Sequence, residues 1–189
     1  MKAQRTAGRA LRPLNRAGLQ ELALRYVGRF ATSRAKLRAY LARKVRERGW
    51  DDERPADLEA IAERFAELGY VDDAAYALGK SRALTGRGYG KRRLVEQLRV
   101  AGIDEEHGHA ACEHADEQAV AAALRFAERR RLGPFAKSQS ADRNDREKAI
   151  AAMVRAGHGF GLARAIAMLP PGASIELDDL RERAGVNTN

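Results

Sequence analysis

A pattern that recurs three times constrains the fold most: a basic amphipathic segment, a glycine, and then an acidic segment. The glycines are Gly49, Gly102 and Gly157, which lie 53 and 55 residues apart. Leu98 and Met153 each stand four residues before the glycine that follows them. A glycine at the end of an amphipathic helix can adopt the left-handed conformation that stops it. The recurrence therefore predicts tandem units of about three helices each.

The clearest single helix is predicted between Pro55 and Gly69. Its apolar residues recur three and four positions apart and would form one stripe: Leu58, Ile61, Ala62, Phe65 and Leu68. We expect Pro55 in the first helical turn, where its missing N–H costs nothing. We expect Gly69 in the left-handed conformation just after the last turn.

Capping residues predict where several other helices begin. Ser33 is a favourable N-cap for a helix that ends before Gly49. Asp72 can cap the helix that follows it, and Asp104 precedes two glutamates that suit the positive end of a helix dipole. These positions predict helix starts near residues 34, 73 and 105.

Composition limits the fold class and the compartment. Aromatic residues make up 6% of the chain and the apolar share of 44% is mostly alanine and leucine, which disfavours a large β-sheet. Cys112 is the single cysteine, so no internal disulfide can form and an oxidising compartment finds no support. No apolar run reaches the roughly 18 residues of a membrane span, and the basic N-terminal segment lacks an apolar signal core. We expect a soluble, cytoplasmic protein.

These patterns together predict an all-α fold of three tandem three-helix repeats. Residues 133–146 are predicted to be a loop between two helices of the third repeat, and one more short helix is predicted near the C-terminus. The predicted limits are a basic, disordered arm at 1–18, repeats at 19–71, 72–115 and 116–170, and a tail at 171–189.

The charge of the chain points to an anionic partner. The formal net charge is +9, and residues 1–48 hold 14 basic and 2 acidic groups, a net +12. The candidate partner-binding or DNA-binding residues share a positive charge: Arg25, Arg29, Arg34, Lys36, Arg38, Arg43, Lys44, Arg87, Lys91, Arg92, Arg93, Arg129, Arg130 and Arg131. The first basic run continues through Arg46 and Arg48. The alternative interpretation is that these residues form ordinary solvated helix faces.

The glycine-rich segment 85–93 allows two interpretations. Its sequence, TGRGYGKRR, lacks the Ser or Thr after lysine that a nucleotide P-loop requires, and no buried strand precedes it. One interpretation is a flexible turn before a helix, with Gly90 near the N-cap. The other is a loop that presents its cations and the ring of Tyr89 to nucleic acid or to an acidic protein surface.

No catalytic or metal-binding arrangement emerges from the sequence. His107, His109, Cys112 and His114 are zinc-ligand residue types, but on a helix they would point in different directions. Cys112 is interpreted as a small core residue. We therefore predict no metal, no cofactor and no enzymatic activity.

The order of these motifs resembles the RecX family of regulators of the RecA recombinase. The strongest match is the segment LGYVDD at 68–73 with Tyr76-Ala77. The segment from Ala23 to Leu41 resembles the first repeat of the family, Gly90 to Ile103 the second, and Gly157 to Ile166 the third. Lys36 stands where the family usually has an acidic residue. His158 stands where phenylalanine is typical, and we expect Phe160 to take over its packing role.

The resemblance implies both a shape and an activity. It implies an elongated, curved array of three-helix repeats that binds along the groove of the RecA–DNA filament. The implied result is lower ATPase and strand-exchange activity of RecA, and hence regulation of DNA repair and of the SOS response. It implies a cytoplasmic monomer that is not an enzyme, with RecA as partner and single- or double-stranded DNA as a further contact. The alternative is a basic helical module that binds single-stranded nucleic acid directly.

Overall fold

The all-α prediction is confirmed by the structure, a computed structural model that describes residues 12–138 and 143–184. Within these ranges the chain contains no β-strand, only an isolated bridge between Leu14 and Trp50. The helices are α1 (Arg16–Val27), α2 (Arg34–Arg48), α3 (Leu58–Glu67), α4 (Asp73–Gly86), α5 (Lys91–Val100), α6 (Glu105–Glu117), α7 (Ala119–Arg130), α8 (Arg143–Arg155), α9 (Phe160–Met168) and α10 (Leu177–Ala184), with a 3₁₀ turn at Gly133–Phe135. None of the described helices is long and apolar enough to cross a membrane.

The predicted helix starts near residues 34 and 105 are confirmed in atomic detail. The Ser33 hydroxyl accepts a hydrogen bond from the backbone N–H of Lys36 at 3.2 Å. The carboxylate of Asp104 accepts one from the backbone N–H of His107 at 2.8 Å. Each cap satisfies an N–H that has no partner inside its helix.

The predicted glycine stops also occur, and two of them share one hydrogen-bonding pattern. Gly102 has φ 68° and Gly157 has φ 98°, both left-handed. The N–H of the residue after each glycine donates to the carbonyl of Leu98, at 3.0 Å, and of Met153, at 3.2 Å. This bond to the carbonyl five residues back is the Schellman arrangement, which needs a left-handed residue at the glycine position.

The predicted place of Pro55 is wrong. Helix α3 begins at Leu58, and its N-cap is Asp57, whose side chain accepts from the N–H of Ala60 at 2.9 Å. Pro55 lies in the loop before the helix. A proline fits either position, whereas the aspartate supplies an acceptor for the helix N-terminus.

The first compact unit, residues 1–72, contains α1, α2 and α3 around one core. Helix α2 packs against both of its neighbours. The buried apolar residues of this core are Leu14, Leu19, Ala23, Leu37, Leu41, Ile61, Ala62, Phe65 and Val71.

The ordered chain of this unit starts earlier than residue 19. Leu14 is 2% exposed, and its backbone N–H donates to the carbonyl of Gly49 at 2.9 Å. Residues 12–18 therefore belong to the first unit, and α1 already begins at Arg16. Residues 1–11 of the predicted disordered arm lie outside the described residues.

The second compact unit, residues 73–189, holds two further cores. One lies among α4, α5 and α6, and its buried residues are Ala77, Leu84, Leu94, Leu98, Ala101, Ile103, Ala111 and Ala115. The other lies among α7, α8, α9 and α10, with Val120, Phe126, Met153, Leu162 and Ile166 among its buried residues. The described residues thus form three cores in sequence order. The equivalence of the repeats, their exact limits and the elongated, curved shape stay predictions.

Two boundaries in this unit differ from the predictions. Helix α8 begins at Arg143, so residues 143–146 of the predicted loop are helical. The predicted tail contains α10, whose Leu180 is 4% exposed and completes the third core. The short helix predicted there is packed into the unit, because Leu180 joins the core that α7, α8 and α9 form.

Candidate partner-binding surfaces

A basic and aromatic groove lies between α1 and α2, within the first unit; we call it the α1–α2 groove. It encloses about 750 Å³. Its lining contains five cationic side chains, three aromatic rings and no carboxylate: Leu22, Arg25, Tyr26, Arg29, Phe30, Lys36, Ala39, Tyr40, Arg43 and Arg46. Four of the candidate residues meet here, namely Arg25, Arg29, Lys36 and Arg43.

Helical spacing explains why these side chains share the groove. On α2, Lys36, Tyr40 and Arg43 are separated by four and three residues, and Arg46 follows after three more. Residues at such spacings lie on one face of a helix. The basic run in the sequence includes Arg46, but it was not among the candidate residues. Tyr26, Phe30 and Tyr40 were not predicted as site residues either. The spacing of Tyr40 from Lys36 and Arg43 could have revealed that ring, whereas Phe30 lies beyond the end of α1.

Aromatic rings form one wall of the α1–α2 groove. The rings of Tyr26 and Tyr40 are stacked, with centroids 4.1 Å apart and an interplanar angle of 12°. The ring of Phe30 lies 5.4 Å from that of Tyr26 and is 56% exposed. The guanidinium carbon of Arg43 lies 5.5 Å from the centroid of Tyr40, at cation–π distance.

The ion pairs at this groove are local and exposed. Arg25 pairs with Glu21 at 2.6 Å and Arg43 with Glu47 at 2.7 Å, each one helical turn apart. Lys44 also pairs with Glu47, at 2.6 Å. A hydrogen bond from Lys44, and to a lesser extent one from Arg43, lowers the pKa of the Glu47 carboxyl. Such exposed pairs are screened by water and contribute little to stability, so the arginines can exchange these partners for an external anion.

Two other candidate residues on α2 point away from the groove. Arg34 pairs with Glu63 of α3 at 3.2 Å, and Arg38 pairs with Glu59 of the same helix. These contacts connect α2 to α3. The basic run of the first unit therefore divides into two faces, one turned to α3 and one turned to the α1–α2 groove.

The glycine-rich segment 85–93 is a tight packing junction inside the second unit. Gly90 is the N-cap of α5, as predicted, and its N–H donates to the carbonyl of Ala156 at 3.0 Å. A Cβ at Gly90 would lie 2.3 Å from the carbonyl oxygen of Gly157, and one at Gly88 would lie 2.9 Å from the backbone nitrogen of Phe126. The glycines let the backbones of two helical groups approach closely, which a freely flexible turn would not require.

Tyr89 uses its ring for internal packing. It is half-buried and packs against both cores of the second unit. The guanidinium carbons of Arg87 and Arg129 lie 5.5 and 5.9 Å from its centroid. Arg129 also donates to the backbone carbonyl of Arg87. These two candidate cations are therefore held next to each other around one ring, although they are 42 residues apart in sequence.

The other cations of the second unit differ in how they are paired. Lys91 pairs with Asp116 at 2.5 Å and Arg93 with Glu96 at 2.5 Å. Arg92 is exposed, as are Arg130 and Arg131, and within residues 12–138 and 143–184 none of these three forms an ion pair. The guanidinium carbon of Arg130 lies 5.9 Å from the centroid of Phe126.

His158 takes the packing role that was expected of Phe160. Its residue is 2% exposed, its ring lies 5.7 Å from that of Phe126, and Nε2 is 3.1 Å from the carbonyl oxygen of Gly88. Nε2 must carry the proton, because a carbonyl can only accept. Desolvation by burial lowers the pKa of His158, and the hydrogen bond to Gly88 opposes this shift. Phe160 is 59% exposed, so the expectation was wrong.

The His and Cys cluster on α6 does not converge. His107 contacts Asp104 at 2.7 Å, His109 contacts Glu113 at 3.4 Å, and His114 contacts the Ser81 hydroxyl at 3.0 Å. Within the part of the chain that the structure describes, no three His, Cys, Asp or Glu side chains form a group that could hold a metal ion.

The fold and these surfaces define an all-helical protein that presents several basic faces. No family-level sequence model matches the chain. It is 31% identical over 159 residues to the regulatory protein RecX of Myxococcus xanthus, covering 78% of this chain and 83% of the relative. It is 35% identical over 138 residues to RecX of Thermobifida fusca, covering 71% of each.

Solved structures share the fold. The crystal structure of RecX from Lactobacillus salivarius matches with a TM-score of 0.57 at 18% identity, over 79% of this chain and 92% of that one. A second crystal structure of a regulatory protein RecX matches with a TM-score of 0.53 at 21% identity, over 76% and 69%. The chain belongs to the RecX family of regulatory proteins.

Proposed function

We propose that this protein regulates the RecA recombinase by binding in the groove of the RecA–DNA filament, where it lowers ATP hydrolysis and strand exchange. The observation that carries the proposal is the identity of 31% to a RecX protein across 83% of that protein's length. In this proposal the protein acts in the cytoplasm, where the filament forms, and modulates DNA repair and the damage response.

The basic faces support this proposal through electrostatics. The groove of a protein–DNA filament presents phosphates and acidic side chains, to which a chain of net charge +9 is attracted over about 8 Å at physiological salt. Cations on α5, around Tyr89 and in the first unit can each contact the filament without reading base sequence.

The regulatory effect needs a difference in affinity between filament states. A ligand shifts a conformational equilibrium only by as much as it prefers one state over the other. A preference of about 1.4 kcal/mol for a filament state of low ATPase activity would lower the ratio of active to inactive filament about tenfold at saturation.

The test measures the ATP hydrolysis that single-stranded DNA stimulates in RecA from the same source, while this protein is titrated in. The single-stranded DNA is kept in large excess, so that removal of DNA cannot explain a loss of activity. Inhibition under this condition is the expected result. Full ATPase activity at a stoichiometric excess of this protein would refute the proposal.

A charge-matched pair of variants separates a specific contact from net charge. Replacement of Lys91, Arg92 and Arg93 together by alanine should weaken inhibition and reduce its salt dependence. The control replaces Arg143, Arg155 and Arg164, which are exposed cations of the same unit outside the candidate set. Equal inhibition by the two triple variants would show that α5 does not contact the filament.

A further inference from the structure

Helix α9 presents an exposed ridge between two grooves of the second unit. We propose that this surface joins two copies of the chain in a symmetric dimer, with the two-fold axis parallel to α9. The inference goes beyond the proposed function, because it needs neither RecA nor DNA. It also departs from the monomer that the family resemblance implies.

The ridge consists of three side chains spaced four residues apart on α9, namely Phe160, Arg164 and Met168. This spacing places them on one face of the helix, which rises about 12 Å from the first to the last. Phe160 is 59% exposed and Met168 is 50% exposed. Aromatic residues, arginine and methionine are enriched in protein interfaces relative to the rest of the surface. The composition of the ridge therefore favours a protein partner.

Two grooves flank the ridge, because α9 packs against both α8 and α10. The α8–α9 groove encloses about 770 Å³, and its apolar floor includes Ile150 and Val154. The α9–α10 groove encloses about 720 Å³. All three ridge residues line both grooves, whereas Gly161 and Ala165, each one residue further along α9, line only the second. The grooves therefore open on opposite sides of a convex ridge, and a copy of the same surface has the complementary shape.

The outer walls of the two grooves differ in charge. On α8 the first groove is lined by Arg143, Arg146 and Glu147. On the side of α10 the second groove is lined by Glu176 and Asp179. Among the residues that the structure describes, no ion pair forms on Glu176, Asp179 or Arg164. A partner of one sign would place like charge against one of the grooves, so the surface suits a partner that carries both signs.

A second copy carries both signs in the required order. Rotation about an axis parallel to α9 brings α8 of each copy opposite α10 of the other, so that arginines face carboxylates. Rotation about an axis in the same plane but perpendicular to α9 would instead bring α8 opposite α8. The parallel axis also lets each ridge enter the apolar α8–α9 groove of the other copy. Such a self-complementary interface is the usual arrangement of two-fold dimers.

The remaining segments of the second unit do not suit this surface by composition. Residues 139–142 (QSAD) and 185–189 (GVNTN) lie outside the described residues. Together they contain one apolar side chain larger than alanine, Val186, and one charge, Asp142. They cannot supply an apolar ridge together with charges of both signs, whereas a second copy can.

Sedimentation equilibrium of the full chain, without RecA or DNA, tests the dimer from about 1 to 200 μM, the range in which a small interface associates. The wild-type mass should rise from 20.8 kDa toward twice that value. Phe160→Ala should raise the dissociation constant at least about 30-fold, because both copies lose a central anchor. Val100→Ala is the matched control and should leave it unchanged, because Val100 is exposed on α5 and lines neither groove.

Charge reversal tests the direction of the two-fold axis. One variant combines Arg143→Glu with Arg146→Glu, and the other combines Glu176→Arg with Asp179→Arg. Each variant alone should stay monomeric, because like charges then face each other where α8 meets α10. An equimolar mixture should form a heterodimer, because the reversed charges are again opposite in sign. Recovery of the dimer would also show that both variants fold.

Three results would overturn the inference: a wild-type mass of 20.8 kDa over the whole concentration range, equal dimerisation of the Phe160→Ala and Val100→Ala variants, or a mixture of the charge variants that stays monomeric. Circular dichroism establishes that each single variant folds. The RecA assay is read below the concentration at which the wild-type protein dimerises, so loss of this interface does not affect the comparison of the α5 variant with its control. Inhibition of RecA by a protein that never dimerises refutes this inference alone, whereas a dimer that does not inhibit refutes the proposed function alone.

Discussion

The glycine junction of the second unit makes a prediction in which one kind of substitution has opposite effects at two positions. Gly90→Ala should destabilise the protein, and Gly79→Ala should stabilise it. Gly90 has φ −89° and ψ 172°, which alanine adopts without strain, so the effect at this position is one of space alone. Gly79 lies inside α4 with no atom within 4 Å of a built Cβ.

The magnitude at Gly90 follows from the contacts of the added methyl group. Its carbon would lie 2.3 Å from the carbonyl oxygen of Gly157, and relief to ordinary contact at 3.4 Å requires the two backbones to separate by about 1 Å. That separation would break the bonds from Gly90 N–H to Ala156, at 3.0 Å, and from Arg92 N–H to Gly157, at 3.2 Å. Two lost hydrogen bonds cost about 2 kcal/mol and the overpacking about 1–3 kcal/mol.

Alanine also leaves the unfolded chain less conformational entropy than glycine does. This effect offsets about 0.4–1 kcal/mol of the destabilisation. The net expectation for Gly90→Ala is therefore a loss of about 2–4 kcal/mol of unfolding free energy. Gly79→Ala should gain about 0.5–1 kcal/mol from helix propensity.

Urea unfolding followed by circular dichroism measures both effects. With a slope of about 1.5 kcal/mol per M, Gly90→Ala should lower the midpoint by about 1–3 M, and Gly79→Ala should raise it slightly. Trp50, the single tryptophan, lies in the first unit, so its fluorescence gives a separate signal for that unit. A midpoint for Gly90→Ala within about 0.3 M of the wild-type value would refute the reasoning.

Three further changes test the packing and the caps. Burial lowers the pKa of His158 in the folded state. Below about pH 6.5 the unfolded state therefore binds more protons than the folded state. The free energy of unfolding should fall there by at most about 1.4 kcal/mol per pH unit. His158→Gln, which keeps an N–H donor for Gly88, should remove that part of the pH dependence in urea titrations at pH 5 to 8. Met153→Ala should cost about 2–5 kcal/mol in thermal unfolding, because Met153 is fully buried. Asp57→Ala should cost about 1 kcal/mol, visible in Trp50 fluorescence, and an unchanged midpoint would contradict its capping role.

Local signals in the sequence predicted most of the helices. The cap at Ser33 and the glycine stop at Gly102 act through bonds to residues within about five positions, so their effect can be read from neighbouring residues. Pro55 was placed wrongly because proline suits several positions near a helix start. Leu14 was missed because it follows Pro13 in a basic segment outside any predicted helix, and only the core that it enters explains it.

The sequence predicted the residue types of the candidate surfaces, but it predicted only part of where those residues lie in the fold. The excess of arginine and lysine pointed to an anionic partner, and four of the 14 candidates lie in the α1–α2 groove. Arg34 and Arg38 belong to the same run but pair with α3, because successive residues on a helix face different neighbours. The aromatic wall was not predicted, because Phe30 follows the end of α1 whereas Tyr40 lies on α2, and the two meet only when the helices pack.

The sequence by itself determined most of the helices, several of their ends and the basic character of the protein. These properties depend on propensity, capping and periodicity, which act over a few residues. The tertiary structure alone decided that Gly90 faces Gly157, that His158 is buried against Gly88, and that α1, the turn after it and α2 bring five cations next to three aromatic rings. Such contacts join residues far apart in the chain, so they exist only once the helices have packed.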